Sequence, residues 1–532
     1  MAGDVMGVIP LSQQSLQALR PAADLVRHYE SGAWLTGGCV RDVLLGRPTH
    51  DFDVVVEKRA IDLARALADE TGGSFVLLDA EHQVARTLLR LGDVSVAVDW
   101  AELRGGSIEA DLRLRDLTIN AVAVPLQDAV DCAGLAGELL IDPLDGLDAL
   151  RRRQLHPCSE DLFRADPLRV LRAVRLAAEL SFAISPELHT LLQRDGLLVT
   201  HSAAERVREE LVRLLLTPHS AAFLRYLDQL RVLTALIPEL EPARGVTQPI
   251  VHFLDVLEHL LEAVAVADWM LSQLDGISAE SLHVLPSADA GDPYPPAFFV
   301  MPEALRHVPD LAFRLPYREH LLEHFNAPLA SGHPRRAIWK LAVLLHDIAK
   351  PQTKQPKAGG GVSFYGHQTI GAEIAASVAE RLRFSRHEVS YIATVVREHM
   401  RPGQLADIEE LSRRAIYRFF RDTGDAGIDT LLHSHADHMA TSGPRMTRAA
   451  WEAHLQWTAA MLHVLYEEQE VVHPRRLIDG RALMEALGLA PGPEIGRLLR
   501  LIAEAQAAGE VRTAEEALSL ARDLHQSRST EV

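Results

Sequence analysis

Strand-length apolar runs fill the first 150 residues of this chain and then stop, and that change of pattern limits the fold more than any other feature. The runs at 33–36, 54–56, 74–78, 87–91, 94–100 and 119–124 are short, and most are rich in β-branched or aromatic residues; helical patterns such as 58–70 lie between them. Residues 1–150 therefore predict a mixed α/β head. From 151 to 245, helices rich in Leu, Ala and Arg follow one another, with apolar residues at three- and four-residue spacings. Residues 246–445 stay helical and gather histidines, with a poorly patterned insertion at about 275–302 and a Gly359-Gly360-Gly361 turn. Residues 446–532 form a last helical region, interrupted by GLAPGPEIG at 488–496. The expected class is α+β: an α/β head, an all-helical neck, a helical histidine-rich domain and a helical C-terminal region.

Within the head, LTGGCVRDVLLGRPTHDFDVVVE (35–57) places Gly37-Gly38 after one strand and Asp51-x-Asp53 at the start of the next. Residues two apart in a strand point to the same face, so the two carboxylates project together and suit a divalent cation. Backbone at adjacent glycines can approach a phosphate closely and aim N–H groups at it. An isolated D-x-D is more often a pair of solvated acids, but the Gly-Gly element at this spacing favours metal-assisted nucleotidyl transfer. VAVDW (96–100) offers Asp99 as a third acid at the end of another strand. In DLRLRDLTINAVAV (111–124), Arg115 suits a triphosphate and Asp116 a ribose hydroxyl, with a surface ion pair as the bland alternative.

The whole chain sets limits on these readings. Its 532 residues predict three or four domains, and 48% apolar with 24% charged residues is ordinary globular composition. Cys39, Cys132 and Cys158 lie far apart without metal-ligand spacing, and no basic-then-apolar leader opens the sequence, so a reducing cytoplasm is expected. No apolar run reaches the roughly 20 residues of a membrane helix, so no membrane association is expected. A formal charge of −19 opposes non-specific adhesion to nucleic acid, yet a local basic surface can still guide RNA.

The helical section opens with FRADPLRVLRAVRLAAEL (163–180), where Asp166 fits an N-cap, Pro167 a first turn, and Arg169, Arg172 and Arg175 recur along neighbouring faces. Solvated arginines on a capped amphipathic helix explain this pattern as well as contact with a base edge does.

In order, Gly37-Gly38 with Val40-Arg41-Asp42, Asp51-x-Asp53, Arg115-Asp116 with Thr118-Ile119-Asn120, Asp142-x-x-x-Gly146, Asp166-x-x-Arg169, and Glu205-Arg206 with Glu209-Glu210 resemble class II tRNA nucleotidyltransferases and bacterial poly(A) polymerases. The resemblance covers about residues 30–220. It implies an RNA 3′-end nucleotidyltransferase with magnesium on Asp51 and Asp53. Gly37, Gly38, Arg41, Asp42, Arg115, Asp116, Asn120, Arg172 and Arg175 would surround the nucleotide, and Asp166 and Arg169 would select its base. The implied partners are tRNA, CTP and ATP, and the implied task is synthesis or repair of the tRNA CCA end. No oligomeric state follows.

Three departures keep alternatives open. Leu114 and Ala165 stand where the family usually has Arg and Glu, so the base-contacting pair is retained without its supporting glutamate. Between Asp99 and Arg115 the chain is shorter than the flexible loop that similar enzymes use for full C-C-A addition. A partial C-C- or A-adding enzyme and a poly(A) polymerase are therefore alternatives.

Beyond residue 246, His259, His346-Asp347, His367, His399 and Asp437 lie in apolar helical stretches. Histidine with carboxylate favours a transition metal, although a single buried histidine is more often structural. The segment resembles an HD-superfamily phosphohydrolase domain. That implies His259, His346, Asp347 and Asp437 as its core ligands, His367 and His399 for a second metal, and nickel or manganese as candidate ions. A metal phosphohydrolase with a merely nucleotide-binding head is the rival reading. The tail, 476–518, looks like the tRNA-contacting region of such enzymes, with a helical hairpin completing the fold as the equal alternative.

Overall fold

The computed structural model describes residues 7–277, 300–330, 332–357, 359–408 and 411–529. The insertion expected at 275–302 lies mostly outside them. The described chain forms two compact units that divide between Ser202 and Ala203.

In the first unit, a two-residue strand β1 (Ile9–Pro10) leads into a helix, Gln13–His28, whose first turn is capped by the Ser12 side chain. Six strands then make one sheet: β2 (Ala33–Thr36), β3 (Asp51–Val56), β4 (Ser74–Asp79), β5 (Val84–Leu91), β6 (Val94–Glu102) and β7 (Ala123–Pro125). Their order is β4-β5-β6-β3-β2-β7, and only the β3–β6 pair is parallel. β8 (Gly134–Leu135) pairs with β1. Along β3 the side chains alternate: Phe52, Val54 and Val56 enter the core with Leu63, Leu67, Val98 and Trp100, which leaves Asp51 and Asp53 on the opposite face. Burying each such apolar side chain stabilises the sheet by about 1.5–3 kcal/mol, which fixes the register that aims the acids outward.

The expected strand at 119–124 is a correction. Thr118–Asn120 is a 3₁₀ turn, and β7 begins only at Ala123. The Thr118 N–H donates to the His156 carbonyl and the Asn120 side chain is held by Asp116 and Arg41, so bonds to distant parts of the chain override the strand pattern.

The second unit is helical apart from the short hairpin Gln355–Pro356/Val362–Ser363, which turns through Gly360 and Gly361 at positive φ. Its central helix, Val256–Asp275, is buried along most of its length. Lys340, 2% exposed, anchors this helix: its ammonium donates to Asp268 (2.5 Å) and to the Thr217 carbonyl (2.8 Å), while Asp268 also accepts from Ser220 and Ala221. The C-terminal helices Gly480–Leu487, Pro493–Ala507 and Ala514–Ser529 share a smaller core around Leu483, Leu498 and Ile502. Among the described residues, no helix is long and apolar enough to cross a membrane.

Candidate active site and metal centre

Register builds the acidic site. β3 and β6 align Asp53 with Asp99, and β2 aligns Thr36 with Asp53, so Asp51, Asp53 and Asp99 share one face of adjacent strands. At the end of β2 the chain turns through Gly37 at φ +74° into the helix Gly38–Leu44. A Cβ there would fall 3.0 Å from Arg115 Nη1, 3.1 Å from Asp53 Cγ and closer still to Asp53 Oδ2, so glycine is what lets the carboxylate lie against the turn. Burial pushes the Asp53 carboxyl above the usual range, Arg115 pulls it down and Asp99 pushes it up. Acids gathered on one face, with one of them resisting ionisation, fit a divalent cation as counter-charge.

Around the acids runs a chain of charged hydrogen bonds. Arg41 clamps Asp42 with two N–H groups (2.9 and 3.0 Å) and donates to Asn120 Oδ1 (2.8 Å). The Asn120 amide donates to Asp116 Oδ1 (3.0 Å), which also accepts the Leu117 N–H, and Arg172 Nε lies 2.6 Å from Asp116 Oδ2. Burial raises the Asp116 carboxyl, but Arg172, Asn120 and the Leu117 N–H outweigh it and leave Asp116 below its usual range. The structure thus brings Arg41, Asp42, Asn120, Asp116 and Arg172 together.

Two contributors were not singled out from sequence. Asp111, 1% exposed, accepts from Arg104 Nε (2.9 Å) and from Arg115 Nε and Nη2 (3.3 Å each), which orients Arg115 toward Asp53. Arg86 on β5 lies opposite Asp99 and grips both of its oxygens. The Asp142–Gly146 motif has a plain physical role: Asp142 accepts the N–H groups of Gly146 and Leu147 at the start of helix Gly146–Arg152, and a Cβ on Gly146 would strike the Thr118 carbonyl. That close approach supports the turn carrying Asn120.

The regular helix after Asp166 begins at Arg169, not at Pro167, yet Asp166 still accepts the Leu168 N–H (3.1 Å) in the manner of a cap. Arg169 Nη2 reaches the Leu114 carbonyl (3.3 Å). Arg175 is buried and its guanidinium contacts Glu179, one turn along the same helix.

In the second unit all six expected residues converge. His259 comes from helix Val256–Asp275, His346-Asp347 from the end of Arg335–Leu345, His367 from the start of His367–Arg381, His399 from the end of Arg386–Glu398, and Asp437 from Gly427–Ser442. His259 Nε2 lies 3.2 Å from His346 Nε2, 3.2 Å from Asp437 Oδ1 and 3.5 Å from Asp347 Oδ2. On the other side of the same carboxylate, Asp347 Oδ1 lies 3.2 Å from His367 Nε2 and 3.7 Å from His399 Nε2. Two candidate metal groups, His259/His346/Asp347 and Asp347/His367/His399, therefore share Asp347. The Nδ1 atoms of His346, His367 and His399 hydrogen-bond the carbonyls of Val343, Phe364 and Val396, which leaves each Nε2 facing inward as a ligand. Burial pushes His346 down, but Asp347 and then Asp437 outweigh it and lift it to about 10, which reflects the concentrated negative charge of the two carboxylates. This donor set fits divalent cations. A cleft of about 620 Å³, lined by Asp347, Lys350, Lys357, Tyr365 and His438, opens onto it. His433 was missed: fully buried, it packs against His346 and His399, and among the described residues neither ring nitrogen has a hydrogen-bond partner.

The head's fold and acidic face define a metal-dependent nucleotidyltransferase. The family described as Poly A polymerase head domain matches residues 33–156, HD domain matches 319–440, and tRNA nucleotidyltransferase domain 2 matches 442–521. An A-adding tRNA nucleotidyltransferase from Deinococcus radiodurans is 33% identical over 92% of this chain and 94% of its own length. A CC-adding tRNA nucleotidyltransferase from Thermus thermophilus is 34% identical over 91% and 92%. The chain belongs to the tRNA nucleotidyltransferase family. The solved Thermotoga maritima CCA-adding enzyme, complexed with tRNA, has the same fold at a TM-score of 0.57, with 20% identity over 98% of this chain and 99% of that one.

Proposed function

We propose that this nucleotidyltransferase builds or repairs the CCA end of tRNA, transferring CMP and AMP from CTP and ATP to the RNA 3′ hydroxyl with release of pyrophosphate. The observation that carries this reading is the placing of Asp51, Asp53 and Asp99 on one face of adjacent strands beside the Gly37 turn and Arg115. Magnesium on Asp51 and Asp53 would stabilise charge on the attacking and leaving oxygens at the α-phosphate. Arg115, aimed by Asp111, presents its guanidinium to triphosphate oxygens, and Asp116 with Asn120 and Arg172 forms the polar wall for the sugar. Asp166 and Arg169 offer an acceptor and a donor array to the base edge. The neck at 151–245 contributes this selection, and the helices after 446 contact the tRNA body. The expected location is the cytoplasm.

Asp51→Ala and Asp53→Ala should each abolish incorporation while retaining the fold by circular dichroism. Full incorporation by both variants would refute the assignment.

One observation favours a partial activity within this reading. The connection from Glu102 to Asp116 contains a short helix, Ile108–Arg113, tied by Asp111 to Arg104 on one side and Arg115 on the other. Changing base preference from C to A within one pocket requires a rearrangement, and a tethered connection of this length resists one. A single base preference, C-C addition alone or A addition alone, is the form this favours.

The second unit's paired metal groups, with Lys350 at 2.5 Å from Asp347, suit hydrolysis of a phosphate ester with nickel or manganese as the ion.

A further inference from the structure

Arg86 is assigned no role by the family motifs, yet it contacts the acidic trio directly. On β5 it lies directly across from Asp99, which in turn lies across from Asp53, so one face of the sheet carries the row Arg86, Asp99, Asp53. Arg86 Nε donates to Asp99 Oδ1 at 2.6 Å and Nη2 to Oδ2 at 2.8 Å, a fork-to-fork pair in which each carboxylate oxygen takes one N–H. The pair is partly open, with side-chain exposures of 39% and 25%. Hydrogen bonding to Asp99 holds the guanidinium above its usual range against some burial, and Asp99, Asp51 and Asp53 add to that pull electrostatically. A guanidinium in this position occupies the end of the carboxylate that a cation would approach.

We infer that Arg86 competes with the divalent cation for Asp99: a cation held by all three acids must displace the guanidinium, which is then free to meet the triphosphate. The inference rests on the metal-binding reading of Asp51 and Asp53. It makes Arg86 a positioning residue that lowers metal affinity in the free enzyme and couples metal binding to nucleotide binding. The nucleotide's negative charge draws the released guanidinium away from Asp99, so cation and nucleotide each favour the other.

The test is Mn²⁺ binding to the full-length protein, followed by the loss of the free-ion electron paramagnetic resonance signal, with the Asp53→Asn variant marking which sites belong to the head. Arg86→Met, which keeps most of the side-chain stem, should tighten the head site three- to tenfold without nucleotide. CTP should then enhance Mn²⁺ binding less than in the wild-type protein. Arg86→Lys, which keeps the charge and loses the fork, should lie between the two, and Asp99→Asn should weaken binding. Unchanged or weaker Mn²⁺ binding in a folded Arg86→Met protein would overturn the inference, as would an Asp99→Asn protein that binds like wild type. If Asp53→Asn removes no Mn²⁺ at all, the metal reading of the head fails instead, which separates the two failures.

Discussion

Replacing Gly37 by alanine tests how the head positions its central acid. The residue lies at φ +74° and ψ −145°, a region that only glycine occupies readily, so the backbone strain is about 1–3 kcal/mol. The added methyl would overlap Asp53 Oδ2 and stand 3.1 Å from Cγ, so recovering ordinary contact at 3.4 Å or more requires the carboxylate to move. A displacement of about 1 Å at a catalytic group costs on the order of 100-fold in rate, equivalent to about 2.7 kcal/mol of barrier. Single-turnover CMP incorporation on a tRNA transcript, with a thermal melt on the same preparation, reads both effects. Gly46→Ala is the control: it also has positive φ, at +67°, with nothing within 4 Å of its added Cβ, so it carries a backbone cost without touching Asp53. Gly37→Ala should be folded and about 100-fold slower, with Gly46→Ala close to wild type. If Gly37→Ala is folded and within threefold of wild type, the close packing of Asp53 on the turn is not what sets its position.

Asp347 belongs to both candidate metal groups, so Asp347→Ala should remove all metal bound by the second unit, whereas His367→Ala should remove about half; elemental analysis of the purified variants distinguishes these from equal losses. Burial raises the Asp429 carboxyl, but His324, Arg335 and Tyr391 outweigh it and leave it below its usual range. Its contribution to stability is therefore full above the unfolded carboxyl pKa near 4 and lost as pH falls through the lower folded value; Asp429→Asn should flatten the acid side of the unfolding profile, and an unchanged profile would refute this. Burial pushes the Cys39 and Cys158 thiols up to about 12, so a thiol reagent at pH 8 should label the exposed Cys132 in the native protein and reach Cys39 only on unfolding. Rapid native labelling of Cys39 would contradict its burial in the head's core.

What the sequence reveals follows the range of the interactions. The two-residue period from Asp51 to Asp53 predicts that both acids share one face, because a strand's period is local. The metal-ligating side chains of the second unit are legible as a set because such residues are rare in apolar helices, and four histidines and two aspartates meet. Arg86 was not legible: nothing in VARTLLRL marks one arginine as the partner of Asp99 until the β5–β6 register is known. Asp111 reads as one more charge in DLRLRD, and only its burial between Arg104 and Arg115 distinguishes it. The apolar residues of 119–124 suit a strand, while long-range bonds from His156 to Thr118 and from Arg41 to Asn120 hold Thr118–Asn120 in a turn. The start of the helix after Asp166 shifted by two residues, within the ordinary variation of a capped first turn.

The most direct measurement supplies the full-length protein with magnesium, labelled CTP and ATP singly and together, and tRNA transcripts ending before C-C-A, after C and after C-C. CMP incorporation on the first two transcripts is the expected result; extension through A would mark complete CCA synthesis despite the tether at Asp111, and a stop after C-C would mark the partial activity. AMP incorporation on the last transcript alone would mark an A-adding enzyme, and absence of incorporation on all three would contradict the assignment of this chain as a tRNA 3′-end nucleotidyltransferase.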